Sequence, residues 1–207
     1  IYGQRLTVHS PQLYDGINLD IDSISQFFRL LEKATDCLPG TVDNLYLYSM
    51  TESQKKFMLL EIDLAKKGML AGNGGPFGCV IVKDGKIVGQ GSNMVLKTKD
   101  PTAHAEVVAI RDACKNLDNF QLDGCEVYTS CEPCPMCLGA IFWARPARVF
   151  YSCTKEDAAA AGFDDDFIYQ EIKVNPSQRK IPMDSLLREE SLKAFDLWKE
   201  KGDKELY

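Results

Sequence analysis

Between Thr51 and Leu70 (TESQKKFMLLEIDLAKKGML) apolar side chains return at Phe57, Leu60, Leu64 and nearby positions, with Lys, Glu and Asp between them. That spacing predicts an amphipathic helix. The loop Ala71–Pro76 (AGNGGP) ends it. Two short apolar runs, Phe77–Val82 and Ile87–Gly91, then flank Asp84-Gly85, a strong hairpin signal. Thr102–Leu117 (TAHAEVVAIRDACKNL) reads as a second helix, entered through Asp100-Pro101-Thr102. Glu126–Thr129 is a short strand, and Cys134–Ala144 a helix with Pro135 suited to its first turn. Arg148–Ser152 is another strand, Lys155–Ala161 another helix, and the tail Met183–Lys201 ends in a helix before the polar Gly202–Tyr207. Helix, hairpin, helix, strand, helix, strand predicts an α/β protein: a three-layer sandwich with a central mixed sheet covered by helices.

The first 49 residues carry no chemical motif. Asp22–Thr35 (DSISQFFRLLEKAT) has helical spacing, and the first methionine is Met50. Two readings follow. Either residues 1–49 lie upstream of a natural product that starts at Met50, or the chain is a piece of a longer protein. Both readings divide it into an extension, 1–49, and a domain, 50–207.

Composition narrows the class. The 207 residues are 45% hydrophobic, 26% charged and 10% aromatic, which excludes global disorder and fibrous architectures. No apolar run approaches the ~20 residues of a membrane helix, and the first residues lack the apolar stretch of a signal peptide. A cytoplasmic protein without membrane contact is expected. Lys plus Arg is 24 and Asp plus Glu is 30, a net charge of −6, which disfavours a phosphate-rich partner such as tRNA or DNA. Eight cysteines in a reducing compartment point to metal binding or chemistry more than to disulfides. With only two histidines, His9 and His104, a His-rich metal site is excluded.

The chemistry concentrates at His104-Ala105-Glu106 and Pro133-Cys134-Pro135-Met136-Cys137. Zinc prefers imidazole nitrogen and thiolate sulfur. Cys134 and Cys137 stand at i and i+3 of a helix start, so they share a face, and a helix N-terminus favours thiolates. His104, Cys134 and Cys137 make three ligands and leave the fourth position to water, as catalytic zinc requires. Glu106 is placed to take a proton from that water and hand it to a leaving group. The competing reading is a structural clip closed by Cys131 as fourth ligand. A catalytically silent zinc scaffold follows from it. Read otherwise, Cys131 packs beneath the site.

H-x-E followed by P-C-x-x-C is the signature of zinc nucleobase deaminases. The segments GGPFGCVIVKDGKIVGQGSN, DPTAHAEVVAIRDACK, YTSCEPCPMCLGAIFWARPARVFY and AGFDDDFIYQEI resemble the cytidine deaminase superfamily, and within it the bacterial-type guanine deaminases. The resemblance implies the cytidine deaminase-like fold, zinc on His104, Cys134 and Cys137, Glu106 as proton shuttle, and hydrolysis of guanine to xanthine and ammonia. The metal motif alone admits guanosine, cytosine or cytidine, or tRNA adenosine as substrate. The AGFDD stretch and terminal Tyr lean towards guanine. By the same resemblance Asn93 bonds the base carbonyl, Ala105 offers backbone contacts, and Phe77 and Trp143 form an apolar wall. Asp165 is a second catalytic carboxylate, with Asp164 the competing candidate. Tyr207 belongs to a C-terminal lid, exchanged between subunits of a homodimer from about Val174 onward.

Overall fold

Our computed structural model describes residues 50–206, and the chain divides into two units between Ser49 and Met50. Tyr207 and the helix expected over residues 22–35 lie outside the described residues. The first helix among the described residues, α1 (Glu52–Leu70), begins at a capping box. Thr51 accepts from the Gln54 amide at 3.2 Å, and the Gln54 side chain accepts from the Thr51 amide at 2.9 Å. These bonds satisfy two amides that a helix start leaves open. Strands β1 (Gly78–Lys83) and β2 (Lys86–Ser92) form the expected hairpin. Asp84 and Gly85 both take positive φ, 49° and 73°, which matches the right-handed twist of the paired strands.

A short helix α2 (Val95–Thr98) precedes α3 (Ala105–Leu117), β3 (Cys125–Cys131), α4 (Pro135–Ala144), β4 (Arg148–Cys153) and α5 (Lys155–Ala160). Then come α6 (Asp166–Lys173), a 3-10 turn (Pro176–Gln178) and α7 (Arg188–Glu200). The strands lie in the order β2-β1-β3-β4. β1 is antiparallel to both neighbours, while β3 and β4 run parallel. The parallel pair needs a crossover, which α4 supplies.

Side chains of the central strand alternate between two cores. Val80 and Val82 face Phe57 of α1, together with Tyr128 of β3. Cys79 and Ile81 face Ala105, Ala109 and Ala113 of α3. Helices therefore cover both faces, and the expected mixed-sheet sandwich is the observed one. Small residues bring α3 close to β2. A Cβ on Gly89 would lie 2.6 Å from the Ala113 methyl, and one on Gly91 2.6 Å from the Ala105 carbonyl. This approach holds the N-terminus of α3, and with it His104, against the sheet.

Three differences from the sequence reading have local causes. α3 starts at Ala105 rather than Thr102, because the Asp100 carboxylate accepts from the Thr102 amide at 2.8 Å and its hydroxyl at 2.7 Å. That turn keeps the chain out of the helix until His104. α2, at four residues, is too short to show a period. α6 was hidden behind the acidic run Asp164–Asp166, which reads as a solvated surface. No helix among the described residues is long and apolar enough to cross a membrane.

Candidate metal centre and active site

Two helix N-termini converge at the ligands. His104 is the N-cap of α3 and Cys134 the N-cap of α4, and neither side chain caps its own helix. Both are therefore available to a metal. Cys137 follows one turn into α4 and is fully buried. The His104 Nδ1 lies 3.5 Å from the sulfur of Cys134 and 3.5 Å from that of Cys137. Tetrahedral zinc with Zn–N of about 2.05 Å and Zn–S of about 2.3 Å sets an N···S edge of about 3.6 Å. The three donor atoms lie within 4.8 Å of one another, and this donor set fits zinc. Cys131 stands outside it. Its thiol donates to the Thr154 carbonyl at 3.3 Å, and it borders the cavity without joining the cluster of donor atoms.

The electrostatics suit a cation. The neighbouring Cys137 S–H draws the Cys134 thiol down to about 4 against the effect of burial, with His104 adding to the pull. That leaves a thiolate at the mouth of α4. Glu106, the second residue of α3, is buried. Desolvation raises its carboxyl above the ordinary value, and hydrogen bonds from its own backbone, Cys137 and Thr129 oppose the rise. Its Oε2 accepts from Cys137 at 3.3 Å and its Oε1 accepts from the Thr129 hydroxyl at 3.0 Å. A carboxylate held beside the metal ligands, with its affinity for protons increased, suits proton transfer near neutral pH.

Beside this centre opens a cavity of about 780 Å³, walled by His104, Glu106, Cys134, Asn93, Phe77 and Asp165 among others. Asn93 is 6% exposed. Its Oδ1 accepts from the Val95 amide at 3.2 Å, which settles the amide orientation and leaves Nδ2 as the group able to donate into the cavity. Gly74 makes room for it, since a Cβ there would lie 2.0 Å from that Oδ1. Phe77 packs edge-to-face on Phe163, ring centres 5.0 Å apart. Asp164 and Asp165 both reach the wall. The Asp164 carboxylate is bound to the Asp166 amide at 2.9 Å. Asp165 instead feels the site: desolvation and the Cys134 thiolate raise its carboxyl.

One of the expected substrate contacts is placed elsewhere. Trp143 is 66% exposed on the outer side of α4 and borders a separate groove with Val107, Ile110 and Phe120. Six residues after Cys137, at about 100° per residue, Trp143 lies about 120° round the helix from it, and it forms no wall of this cavity. Ala105 is fully buried, packed in the core with Cys79 and Ala109, and is not among the cavity residues. Its methyl points to the sheet, while the contact expected of it is a backbone one, at the first position of α3 between His104 and Glu106 of the cavity wall. Tyr207 is outside the described residues. Conversely, Thr129 and Phe163 were not singled out from the sequence. For Thr129 a signal existed, because a hydroxyl at an inward β-strand position must find a partner.

Comparison with known proteins agrees with this geometry. A family model described as the cytidine and deoxycytidylate deaminase zinc-binding region matches residues 51–153, which span all three ligands and Glu106. The guanine deaminase of Bacillus subtilis is 54% identical over 155 residues, 75% of this chain and 99% of that protein. A crystal structure of guanine deaminase from the same organism superposes with a TM-score of 0.72 at 54% identity, covering 74% of this chain and 98% of that one. The tRNA-specific adenosine deaminase of Aquifex aeolicus is 47% identical over 77 residues, 37% of this chain and 51% of that protein. With the metal ligands and the fold matched along nearly the whole length of a relative, the chain belongs to the zinc-binding cytidine and deoxycytidylate deaminase family.

Proposed function

We propose that this protein is a zinc-dependent guanine deaminase, converting guanine and water to xanthine and ammonia. The observation that carries the reading is 54% identity over 99% of a guanine deaminase, joined to a three-ligand centre with a buried carboxylate beside it. Bound zinc supplies a nucleophile at neutral pH by lowering the pKa of its water towards about 7. The protein's own groups do the rest. Glu106 accepts a proton as the bond to C2 forms and returns it to the amino group that leaves. Asp165 is the second carboxylate, positioned by the turn before α6 to hold a ring N–H or assist the departing ammonia. The Nδ2 group of Asn93 donates to the base carbonyl, and Phe77 stacks an apolar wall against the purine.

We read the assembly as a homodimer in which the C-terminal segment, Tyr207 included, closes over the partner's site. Two observations support this. All of α4 is apolar, yet Phe142 on its outer side is 73% exposed, and a helix apolar all round calls for cover. α7 carries no buried residue although Phe195 and Leu197 lie along it. The unit 50–207 is the deaminase domain, acting on a small purine rather than on nucleic acid. A reducing cytoplasm suits its seven described cysteines, all unbridged. The test is ammonia release by the zinc-loaded chain from guanine, guanosine, adenine, cytosine and cytidine. Release from guanine with xanthine as product is expected. Turnover confined to another base would refute the substrate assignment.

A further inference from the structure

Thr129 lies on β3, 1% exposed, on the side of the sheet that faces the metal centre. Its Oγ1 is 3.0 Å from Oε1 of Glu106 and 3.4 Å from the Gly78 carbonyl. Both neighbours accept, and the hydroxyl has a single proton to give. The shorter, charge-assisted contact to the carboxylate takes it. The other oxygen of Glu106, Oε2, is 3.3 Å from the sulfur of Cys137, on the metal side. Cys137 has no proton to give once it holds zinc, so the loaded site keeps the carboxylate tied at Oε1 and turns Oε2 towards the ligands.

We propose that Thr129 is a positioning residue for the deamination, a role that rests on the reading of Glu106 as proton carrier. By donating to Oε1, Thr129 fixes the carboxylate plane and reserves Oε2 for the reaction. The proton taken from water during turnover settles on Oε2, the oxygen that lies on the side of the metal ligands. From Oε2 it passes to the leaving amino nitrogen, and the carboxylate returns to its starting state with no proton gained or lost. Without the hydroxyl, a buried carboxylate oxygen loses its partner, and the side chain rotates to find another. The strand itself needs nothing from this hydroxyl, since its backbone is paired on both sides.

Thr129→Val keeps the shape and removes the donor, whereas Thr129→Ser keeps the donor and removes a methyl. The two substitutions therefore separate packing from positioning. With equal zinc content verified by mass spectrometry, Thr129→Val is expected to lower kcat for guanine by about 10- to 100-fold, the usual range for an outer-sphere partner. KM should stay within about 3-fold, and Thr129→Ser should retain kcat within about 3-fold despite lower thermal stability. A crystal structure of zinc-loaded Thr129→Val should show the Glu106 carboxylate turned from its wild-type position. An unchanged kcat in Thr129→Val, or a loss in Thr129→Ser as large as in Thr129→Val, overturns the proposal. Should wild type release no ammonia from guanine, the substrate reading falls. The crystal comparison then still decides the role of Thr129: a displaced Glu106 upholds it and an unmoved one overturns it.

Discussion

Replacing Glu61 by Gln should flatten the pH dependence of stability. Glu61 lies on the inward side of α1 with Phe57 and Ala65, and is 0% exposed. Ser152 of β4 donates to its Oε1 at 2.9 Å, while Oε2 is buried with no hydrogen-bond partner. Burial raises its carboxyl from 4.5 to about 7; the Ser152 bond opposes this and the negative charge of Glu106 adds to it. A shift of that size corresponds to about 3 kcal/mol of differential stability. The sign follows from proton binding. The folded state holds the proton more tightly than the unfolded state, so stability is greatest below 4.5, declines as pH rises from 4.5 to 7, and is flat above. Between pH 5 and pH 8 the acid form's advantage amounts to about 2–3 kcal/mol.

Gln has the same shape and does not titrate. Urea unfolding of wild type and Glu61→Gln, both saturated with zinc, would be followed at several pH values across that window. Metal-linked titrations are common to the two proteins and cancel in their difference. Wild type should lose about 2–3 kcal/mol relative to Glu61→Gln from pH 5 to pH 8. Its starting level at pH 5 matters less than the slope, because the amide leaves a buried donor of its own. Parallel curves would show that Glu61 is ionised in the folded protein and would refute the reasoning.

Other outcomes are as specific. Glu106→Ala should keep its zinc, measured by elemental analysis, yet lose at least about 100-fold in turnover, the lower range for a general acid–base group. Gly74→Ala should raise KM for guanine with a smaller effect on kcat, because the new methyl would meet Asn93 Oδ1 at 2.0 Å and displace the amide; an unchanged KM contradicts that contact. Chelation of zinc should lower the melting temperature as well as the activity, since His104 at one helix start and Cys134 and Cys137 at another would be cross-linked by the ion. Thr51→Ala should cost about 1 kcal/mol in urea unfolding by removing the cap of α1. Sedimentation showing only monomer at working concentration would remove the exchanged homodimer.

Much of the architecture was legible because its causes are local. The hairpin rests on two positive-φ positions that Asp84 and Gly85 accept readily. α4 starts where Pro135 fits a first turn and Cys134 precedes it. Helix boundaries drifted where a side chain intervened, as Asp100 does before α3. The α1 pattern also misled in part. Leu60 and Leu64 are only partly buried, while the charged Glu61 between them is sealed in the core. Periodicity gives the axis of a buried face to within about one residue, and a single carboxylate on its margin cannot be told from a solvated one.

The site divides along the same line. The identities of the metal ligands and of Glu106 are properties of the sequence, since donor softness and the spacing of residues on one helix turn are set within a few residues. Which oxygen of Glu106 faces the metal is decided by Thr129, 23 residues away. The state of Glu61 is decided by its burial in the core, which the bond from Ser152, 91 residues away, offsets only in part. Asp164 spends a carboxylate oxygen on the Asp166 amide, and Trp143 stands outside the cavity because α4 turns it outward. Local chemistry and period belong to the chain. Orientation, burial and the proton affinity they impose arise when sheet pairing brings distant segments together and removes the water between them.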